Sequence, residues 1–376
     1  MKKNLIALAI FGAFTGAAFA QSNVTLYGIV DGGLQYNGTN VLNPVTRAID
    51  SKSQFGVDGG YVAGNRWGLR GSEALGGGTS AIFQLEAGFN IDTGMSGQGG
   101  RLFGRQAYLG LSNTGAGSLV FGRIATFSSG TGAFDMIGAV DPFGTGWGLN
   151  SMGSTFISAG ALRVDNTVAY VTPTWGGFAG GVAYSFNVAG NEVPGSSNNT
   201  TALALGAKYA NGPFYAAITY DTISYATTAA GSGPDQKHLQ VGATWDFKVA
   251  KIYGAYAKQD NIRNAINPID GIVIPIAATG LPTFSNDAFM VGASVPLFGG
   301  SLLASYQSSS ADGQNVTTAA GVVNFDPDYS VYAIGYLYPV SSRTSLYAGY
   351  GQRDGSGTLA KTFDKEQFAL GVNHKF

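Results

Sequence analysis

The stretch AIFQLEAGF, residues 81–89, alternates between apolar and polar side chains. Its phenylalanines and leucine fall on one face of an extended chain, whereas Gln84 and Glu86 fall on the other, because successive side chains of a strand point to opposite faces. A period of two over this length indicates a β-strand that separates an apolar environment from a wet one.

The same alternation recurs along the chain in segments of about ten residues, which is the length of a tilted membrane strand. Examples are VTLYGIVDGGLQY (24–36), LALGAKYA (203–210), FYAAITYD (214–221), LQVGATWDF (239–247) and SLYAGYGQR (345–353). No apolar run of residues 21–376 is long enough for a spanning helix. The chain is therefore expected to be all-β.

The connections between these segments alternate in length. The short turns lie at 73–78, 113–117, 172–177, 211–213, 247–250, 297–300 and 339–343. The longer loops lie near 38–62, 91–100, 125–162, 189–199, 226–235, 260–284, 310–326 and 354–364. Seven turns and eight loops join sixteen strands. An even strand number with short turns on one side predicts a single antiparallel transmembrane β-barrel over residues 21–376.

Composition agrees with a barrel in a membrane. Charged residues make up 11% of the sequence, against about 25% in a soluble domain, and the absence of cysteine excludes disulfides and thiolate chemistry. A basic start, an apolar segment and the sequence Ala18-Phe19-Ala20 predict a signal peptide over residues 1–20, cleaved after Ala20. Its removal leaves 19 of the 21 basic residues against 22 acidic ones. No nucleic-acid surface is predicted from this balance.

A soluble β-sandwich or propeller is the alternative fold. The export signal, the low charge and the lack of an internal repeat all oppose it.

Several motifs resemble one family along the whole length of the chain. The stretches NVTLYGIVDGGLQY, RWGLRGSEALGGG, RQAYLGLSNTGAGSLVFGR and the terminal GVNHKF are similar to the general porins of Gram-negative outer membranes, in their betaproteobacterial branch. The resemblance implies passive diffusion of small hydrophilic solutes without a cofactor, and a homotrimer surrounded by outer-membrane lipid and lipopolysaccharide. It also implies that Phe376 ends an assembly signal read by the barrel-assembly machinery, and that the third long loop, 125–162, folds inward as a constriction.

The segment NRWGLRG, residues 65–71, predicts two charges on the channel side of the wall. If Trp67 faces lipid, alternation turns Arg66 and Arg70 toward the channel. Arg70 is then nearer the turn by roughly 7 Å. Arg66 is the better candidate for the constriction.

Two further arginines are placed on the channel side by the same reasoning. If Tyr108 faces outward, Arg105 faces inward, and if Tyr170 faces outward, Arg163 faces inward. With Arg66 they match the positions of the basic cluster that lines the constriction in the porins that this sequence resembles. For each one, an ordinary wetted charge on the channel wall is the alternative.

Four more charges belong to the predicted site. Glu86 faces inward and is expected to pair with an arginine, whereas the facing of Arg123, at the entrance of the long loop, is ambiguous. Asp135 and Asp141 lie in the loop at 125–162. They either face the arginines across the narrowest point or cap turns of the loop.

The predicted function is a passive channel with a weak preference for anions. Arginines on one wall and carboxylates on the facing loop create a transverse field that orients a passing solute. A surface interaction protein, such as an adhesin or receptor, is the first alternative. A barrel-borne hydrolase is the second, but the single IDTG at 91–94 has no partner carboxylate motif, and the two histidines, His238 and His374, have no GxSxG motif. Conductance in a planar bilayer separates a channel from both.

Overall fold

The computed structural model describes residues 23–42, 49–144, 146–156, 163–226, 234–262, 264–267, 272–275, 284–312, 314–318, 321–325, 328–356 and 364–376. The predicted signal peptide, residues 1–20, lies outside the described residues, as do Thr145 and residues 157–162 of the predicted constriction loop. No helix in the described part of the chain is long and apolar enough to cross a membrane.

The described residues form twenty-one strands and a few single-turn 3₁₀ helices. The strands are β1 (Asn23–Leu42), β2 (Ile49–Gly59), β3 (Arg66–Gly76), β4 (Thr79–Gly88), β5 (Gln106–Asn113), β6 (Gly117–Ala125), β7 (Arg163–Val171), β8 (Phe178–Ser185), β9 (Thr201–Asn211), β10 (Phe214–Ser224), β11 (Gln236–Asp246), β12 (Lys251–Ile262), β13 (Asn264–Asn267), β14 (Ile272–Pro275), β15 (Phe284–Leu297), β16 (Gly300–Ala311), β17 (Gln314–Thr318), β18 (Gly321–Phe325), β19 (Asp328–Pro339), β20 (Thr344–Ser356) and β21 (Lys365–Lys375).

Seventeen of these strands form one antiparallel sheet, which closes because β1 pairs with β21. The other four form two separate hairpins, β13–β14 and β17–β18, within long connections. The short turns lie where the sequence predicts them. Closure gives every strand of this sheet a partner on both sides, except β2, which among the described residues pairs with β1 alone. Paired backbone groups are what a hydrocarbon environment requires.

The seventeen strands occupy sixteen positions around the barrel, as predicted. Both β2 and β3 lie along the same edge of β1, with Gly32 opposite Gly59 and Ile29 opposite Arg66. Only two residues of β1 therefore face residues 60–65, so the second position in the wall is interrupted there. We call residues 60–65 the wall break.

The prediction of a loop at 38–62 is wrong. β1 continues to Leu42, and β2 returns from Ile49, with eleven paired positions. The side chains of this hairpin are polar at many positions on both sides, for example Asn40 and Lys52. Because these polar side chains do not alternate with apolar ones, the sequence pattern did not predict this strand pair, which is held by its backbone hydrogen bonds.

The two faces of the wall differ in the side chains that they carry. The outer face bears exposed apolar residues on nearly every strand, such as Leu109, Phe121, Val241 and Ile334. Aromatic side chains follow one another at its short-turn end, where Phe178 lies 4.3 Å from Tyr209 and Phe214 lies 6.0 Å from Trp245 between ring centroids. An apolar band with aromatic borders is typical of a barrel wall in contact with lipid.

Candidate functional site

The long connection between β6 and β7 runs along the inner face of the wall, the face opposite to the exposed apolar residues. We call its residues 126–156, of which Thr145 is not described, the loop segment. Its side chains lie over inner-face glycines of successive strands: Phe127 over Gly181 and Gly206, Val140 over Gly242, Pro142 over Gly292, and Trp147 over Gly335 and Gly349. A Cβ atom at Gly242 would lie 2.7 Å from Val140 Cγ2. The close approach of the loop segment therefore depends on the missing side chains of the wall.

Apolar burial holds the loop segment at both ends. Near its start, Phe127, Met136 and Val140 are at most 1% exposed and pack on alanines of the wall. Near its end, Trp147 packs edge-on against Tyr61 and Tyr347, with ring centroids 5.7 Å and 6.0 Å away. Burial on this scale fixes the path of the segment, because it removes large apolar surfaces from water.

Hydrogen bonds add polar ties between the loop segment and the wall. The Ser128 hydroxyl donates to the Asp221 carboxylate, and Leu149 N donates to Gln367 Oε1 at 2.7 Å. Thr155 Oγ1 donates to Gln307 Oε1 at 2.5 Å. These ties reach from β10 to β21, which is half of the sixteen positions around the barrel.

A cavity of about 240 Å³ remains between the loop segment and the inner face of the wall. Arg66, Arg105 and Arg163 line one side of it, and Asp141 and Thr131 belong to the loop segment on the other. Arg66 begins β3, Arg105 precedes β5 and Arg163 begins β7, so the pairing of consecutive strands brings the three arginines to one opening.

Arg105 is the arginine whose charge is paired. Its Nε lies 2.7 Å from Glu86 Oε1, and its Nη2 donates to Thr131 Oγ1 of the loop segment at 3.2 Å. Glu86 also accepts a hydrogen bond from Tyr27 Oη at 2.9 Å. Both charged side chains are less than a tenth exposed. Arg105 therefore connects the side of the cavity that carries the three arginines to the loop segment.

Arg66 and Arg163 have no carboxylate within ion-pair distance among the described residues. Arg66 Nε donates to the Gly64 carbonyl at 2.8 Å, and Arg163 Nε is buried without a hydrogen-bond partner. Two guanidinium charges are thus left without a direct counter-charge at the cavity, where an anion could approach them.

Comparison with known proteins assigns the chain to a family. A family model described as Gram-negative porin matches residues 5–358. The chain belongs to the Gram-negative porin family. The porin is 35% identical over 404 residues to an outer membrane porin protein of Bordetella pertussis, with all of both chains covered.

Two further similarities support the same assignment. Outer membrane porin protein 32 of Delftia acidovorans is 29% identical over 385 residues, which cover 100% of the porin and 93% of that protein. The solved anion-selective porin from Comamonas acidovorans has a TM-score of 0.70 at 25% identity, covering 95% of this porin and 100% of that chain. The porin is an outer-membrane channel for the passive diffusion of ions and small hydrophilic solutes.

The structure places Arg105 in the cavity for a reason different from the predicted one. Tyr108 faces inward, since its hydroxyl donates to Gln84 Oε1 at 2.9 Å and its ring packs on Phe134 of the loop segment. The outward facing of Tyr108 was therefore wrong. Arg105 precedes β5, which begins at Gln106, so strand alternation does not fix its direction.

A β-bulge similarly separates Arg163 from the alternation of its strand. Gly122 pairs with Thr167 and Ile124 with Val164, so two residues of β7 oppose one of β6. Alternation counted back from Tyr170 therefore changes phase before it reaches Arg163. Arg163 lines the cavity because of its position at the end of the strand.

Arg123, whose facing the sequence left ambiguous, lies outside the cavity lining rather than among the channel charges with which it was grouped. It shares the outer face of β6 with Phe121, and its Nη1 lies 2.6 Å from Asp165 Oδ1. Asp165 also pairs with Arg101, at 2.8 Å. The bulge turns Asp165 toward these two arginines, and the three charges form a separate cluster outside the cavity.

Both loop carboxylates cap turns, and only one of them also lines the cavity. Asp135 accepts hydrogen bonds from the backbone of the turn at 137–138, and it is not among the lining residues. Asp141 accepts from Phe143 N at 2.9 Å and from Met152 N at 2.6 Å. Burial raises the pKa of Asp141 to about 7 and also raises the pKa of Asp135.

The two remaining candidates lie away from the cavity. Arg70 is exposed on β3, with its guanidinium 5.1 Å from the centre of the Tyr27 ring. Phe376 exchanges backbone hydrogen bonds of 3.0 and 3.1 Å with Gly28, so the terminal residue takes part in barrel closure.

Sequence reasoning missed Asp31, which is fully buried on the inner face of β1 and contacts the wall break. The one available signal was a carboxylate inside the otherwise uncharged stretch VTLYGIVDGGLQY.

Proposed function

We propose that this porin prefers anions and that the loop segment narrows its channel. The observation that carries the proposal is the pair Arg66 and Arg163, which line one cavity without a carboxylate partner in the described ranges. The similar protein from Comamonas acidovorans is named as an anion-selective porin, which supports the same preference.

The selectivity arises from the field across the cavity. Three guanidinium groups and one carboxylate, that of Asp141, line the cavity, and Glu86 behind them pairs with Arg105, so the lining carries excess positive charge. Arginine keeps its charge at every relevant pH. Because the surrounding wall has a low dielectric constant, this excess raises the local concentration of anions and lowers that of cations.

The test is the reversal potential of single channels in a KCl gradient. Wild-type protein is expected to show an anion preference, and the variant Arg66→Gln with Arg163→Gln is expected to lose most of it. Arg70→Gln removes a charge of the same type outside the cavity lining and serves as the control. Cation preference of the wild type, or an equal effect of the control, overturns the proposal.

We also propose how the mature protein is assembled. Residues 1–20 are removed after export, so N-terminal sequencing of protein from outer membranes should begin at Gln21.

The barrel forms a homotrimer in contact with lipopolysaccharide. The mobility of the protein in gels before and after heating, with and without added lipopolysaccharide, tests this assembly. The final strand is read by the barrel-assembly machinery, so Phe376→Ala should slow assembly in cells, whereas Phe298→Ala in an exposed turn should not.

A further inference from the structure

The wall break, residues 60–65, turns inward from the wall. Tyr61 lies on the inner side, stacked at 5.6 Å on Tyr347 and 5.7 Å from Trp147 of the loop segment, between ring centroids. Its carbonyl accepts a hydrogen bond from the backbone N–H of Trp147. The break therefore contacts the loop segment through both side chain and backbone.

The wall break also forms part of the cavity. Gly60 and Gly64 line it together with Arg66, whose Nε is held by the Gly64 carbonyl at 2.8 Å. A Cβ atom at Gly64 would lie 3.4 Å from Arg105 Nη1. The break thus lies next to two of the three arginines and fixes the direction of one of them.

A single residue of the neighbouring strand holds the break along its length. The carboxylate of Asp31 accepts hydrogen bonds from the backbone N–H groups of Tyr61, Val62 and Ala63, at 3.0, 3.2 and 3.3 Å. Its own N–H donates to Asn65 Oδ1 at 2.5 Å, and its carbonyl accepts from Gly60 N at 3.1 Å. Five of the six residues of the break are therefore bonded to Asp31.

The other side of the Asp31 carboxylate is held by the closing strands. Tyr347 Oη donates to Oδ1 and Asn373 Nδ2 donates to Oδ2, each at 2.9 Å. Five donors around one buried carboxylate form charge-assisted hydrogen bonds, which are stronger than neutral ones. An amide at this position could accept from some of these donors but would place its own N–H groups against others.

We propose that the wall break is a second constricting segment of the channel and that Asp31 is the residue that positions it. The inference rests on the proposed anion preference. Asp31 acts through the break in two ways, by directing Arg66 toward the cavity and by holding the end of the loop segment through Tyr61. The constriction is then built from two inward segments rather than from the loop alone.

The sign of the selectivity change distinguishes positioning from simple charge. Removal of a negative charge from the inner face should raise the anion preference if charge alone matters. If Asp31 positions the break, Asp31→Asn releases Arg66, and the anion-to-cation permeability ratio should fall by about two-fold or more while conductance rises. A ratio that is unchanged or raised overturns the positioning role.

Asp58→Asn is the matched control for this measurement. Asp58 lies on β2 and on the same inner face of the wall as Asp31, and it is exposed. It accepts its hydrogen bond from Gly59 N at 2.7 Å rather than from the break. It measures the effect of the same charge change without displacement of the break. If wild type shows no anion preference, the proposed function fails, and conductance alone then decides the role of Asp31.

Chemical modification tests the position of the break directly, because the chain has no cysteine. In Gly64→Cys, an anionic methanethiosulfonate reagent is expected to react and to reduce single-channel conductance, since Gly64 lines the cavity. Val57→Cys, 66% exposed on the outer face, should leave the current unchanged. A Gly64→Cys channel whose current is insensitive to the reagent overturns the proposal, whatever the selectivity of the wild type.

Tyr61→Ala provides the second variant if Asp31→Asn does not fold. It leaves the Asp31 carboxylate and its backbone hydrogen bonds in place but removes the ring that contacts Trp147. Conductance is expected to rise, with a smaller change in the permeability ratio than for Asp31→Asn. Unchanged conductance in a folded Tyr61→Ala channel contradicts the role of the break in holding the loop segment.

Discussion

The inner face of this barrel has two unlike parts. From β8 to β20, which we call the covered part, the strands present glycine and alanine, over which the loop segment packs. From β3 to β7, which we call the arginine part, the loop segment also contacts the wall, through Phe134 on Tyr108 and Thr131 on Arg105, but here the three arginines line the cavity. One part of the wall thus supports the constriction by lacking side chains, and the other supplies its charge.

The comparison shows why a porin can tolerate so many glycines within strands. Glycine inside a strand normally weakens it, but it also permits close approach of another chain segment. Here Val140 and Trp147 come within contact distance of the wall only because Gly242 and Gly335 have no Cβ. Some of the 58 glycines of the sequence are therefore explained by the path of the loop segment over the wall.

The largest expected effect, on both stability and selectivity, is that of Arg105→Ala in the arginine part. This change leaves Glu86 buried without its ion-pair partner and removes the hydrogen bond to Thr131. Loss of one partner of a buried pair destabilises a protein by about 3 kcal/mol. Thermal unfolding in detergent should show the loss, and reversal potentials should show a shift toward cations.

A double variant, Arg105→Ala with Glu86→Ala, tests the cause. It should recover most of the thermal stability, because no buried charge is left alone, but not the selectivity. No recovery would show that the pair is not the source of the stability.

The next effect concerns the covered part, in the variant Gly242→Val. The new side chain would overlap Val140, which is fully buried, and overpacking of this kind destabilises by about 2 kcal/mol. The loop segment should lift locally from the wall, so we expect larger and noisier single-channel conductance. Gly254→Val, on the adjacent strand with open space around it, should behave as wild type. Equal effects of the two variants would argue against close packing at Gly242.

A smaller, pH-dependent effect is expected at Asp141, a residue of the loop segment that lies over the covered part and also lines the cavity. Burial raises its pKa to about 7, so the folded state favours the protonated form. The stability from this preference is complete below pH about 4 and is lost as the pH rises through about 7. Protonation also removes a negative charge from the cavity lining, so the anion preference should increase as the pH falls from 8 to 5.

Two variants isolate this titration. Asp141→Asn should make the permeability ratio nearly independent of pH in that range. Asp135→Asn should retain the dependence, since Asp135 is not among the lining residues. A pH dependence that persists in Asp141→Asn assigns it to another group.

The smallest effect should come from Arg70→Ala. This variant tests whether an arginine of the arginine part must line the cavity in order to influence selectivity. Arg70 is exposed, and its contact with the Tyr27 ring contributes about 0.5 kcal/mol. Thermal stability and the permeability ratio should both remain close to wild type. A large change in selectivity would mean that the field acts well beyond the cavity.

Strand number, the lengths of the turns and the inward facing of Arg66 and Glu86 could be predicted from the sequence, because each depends on the local period of two. The reasoning failed where this period is interrupted. The bulge in β7 hides the direction of Arg163, and β5 begins only after Arg105. The hairpin at 38–62 was missed because its polar side chains do not alternate with apolar ones.

The sequence by itself therefore determined a two-faced wall and which residues could carry charge toward water. The tertiary structure alone decided which charges are neighbours, since Arg66 and Arg163 reach one cavity only in the paired and curved sheet and Glu86 pairs with Arg105. It also decided that Asp31 holds the wall break. The physical reason is that alternation records the side of a strand on which a residue lies, whereas contacts across the channel depend on closure, bulges and the path of a loop over distant glycines.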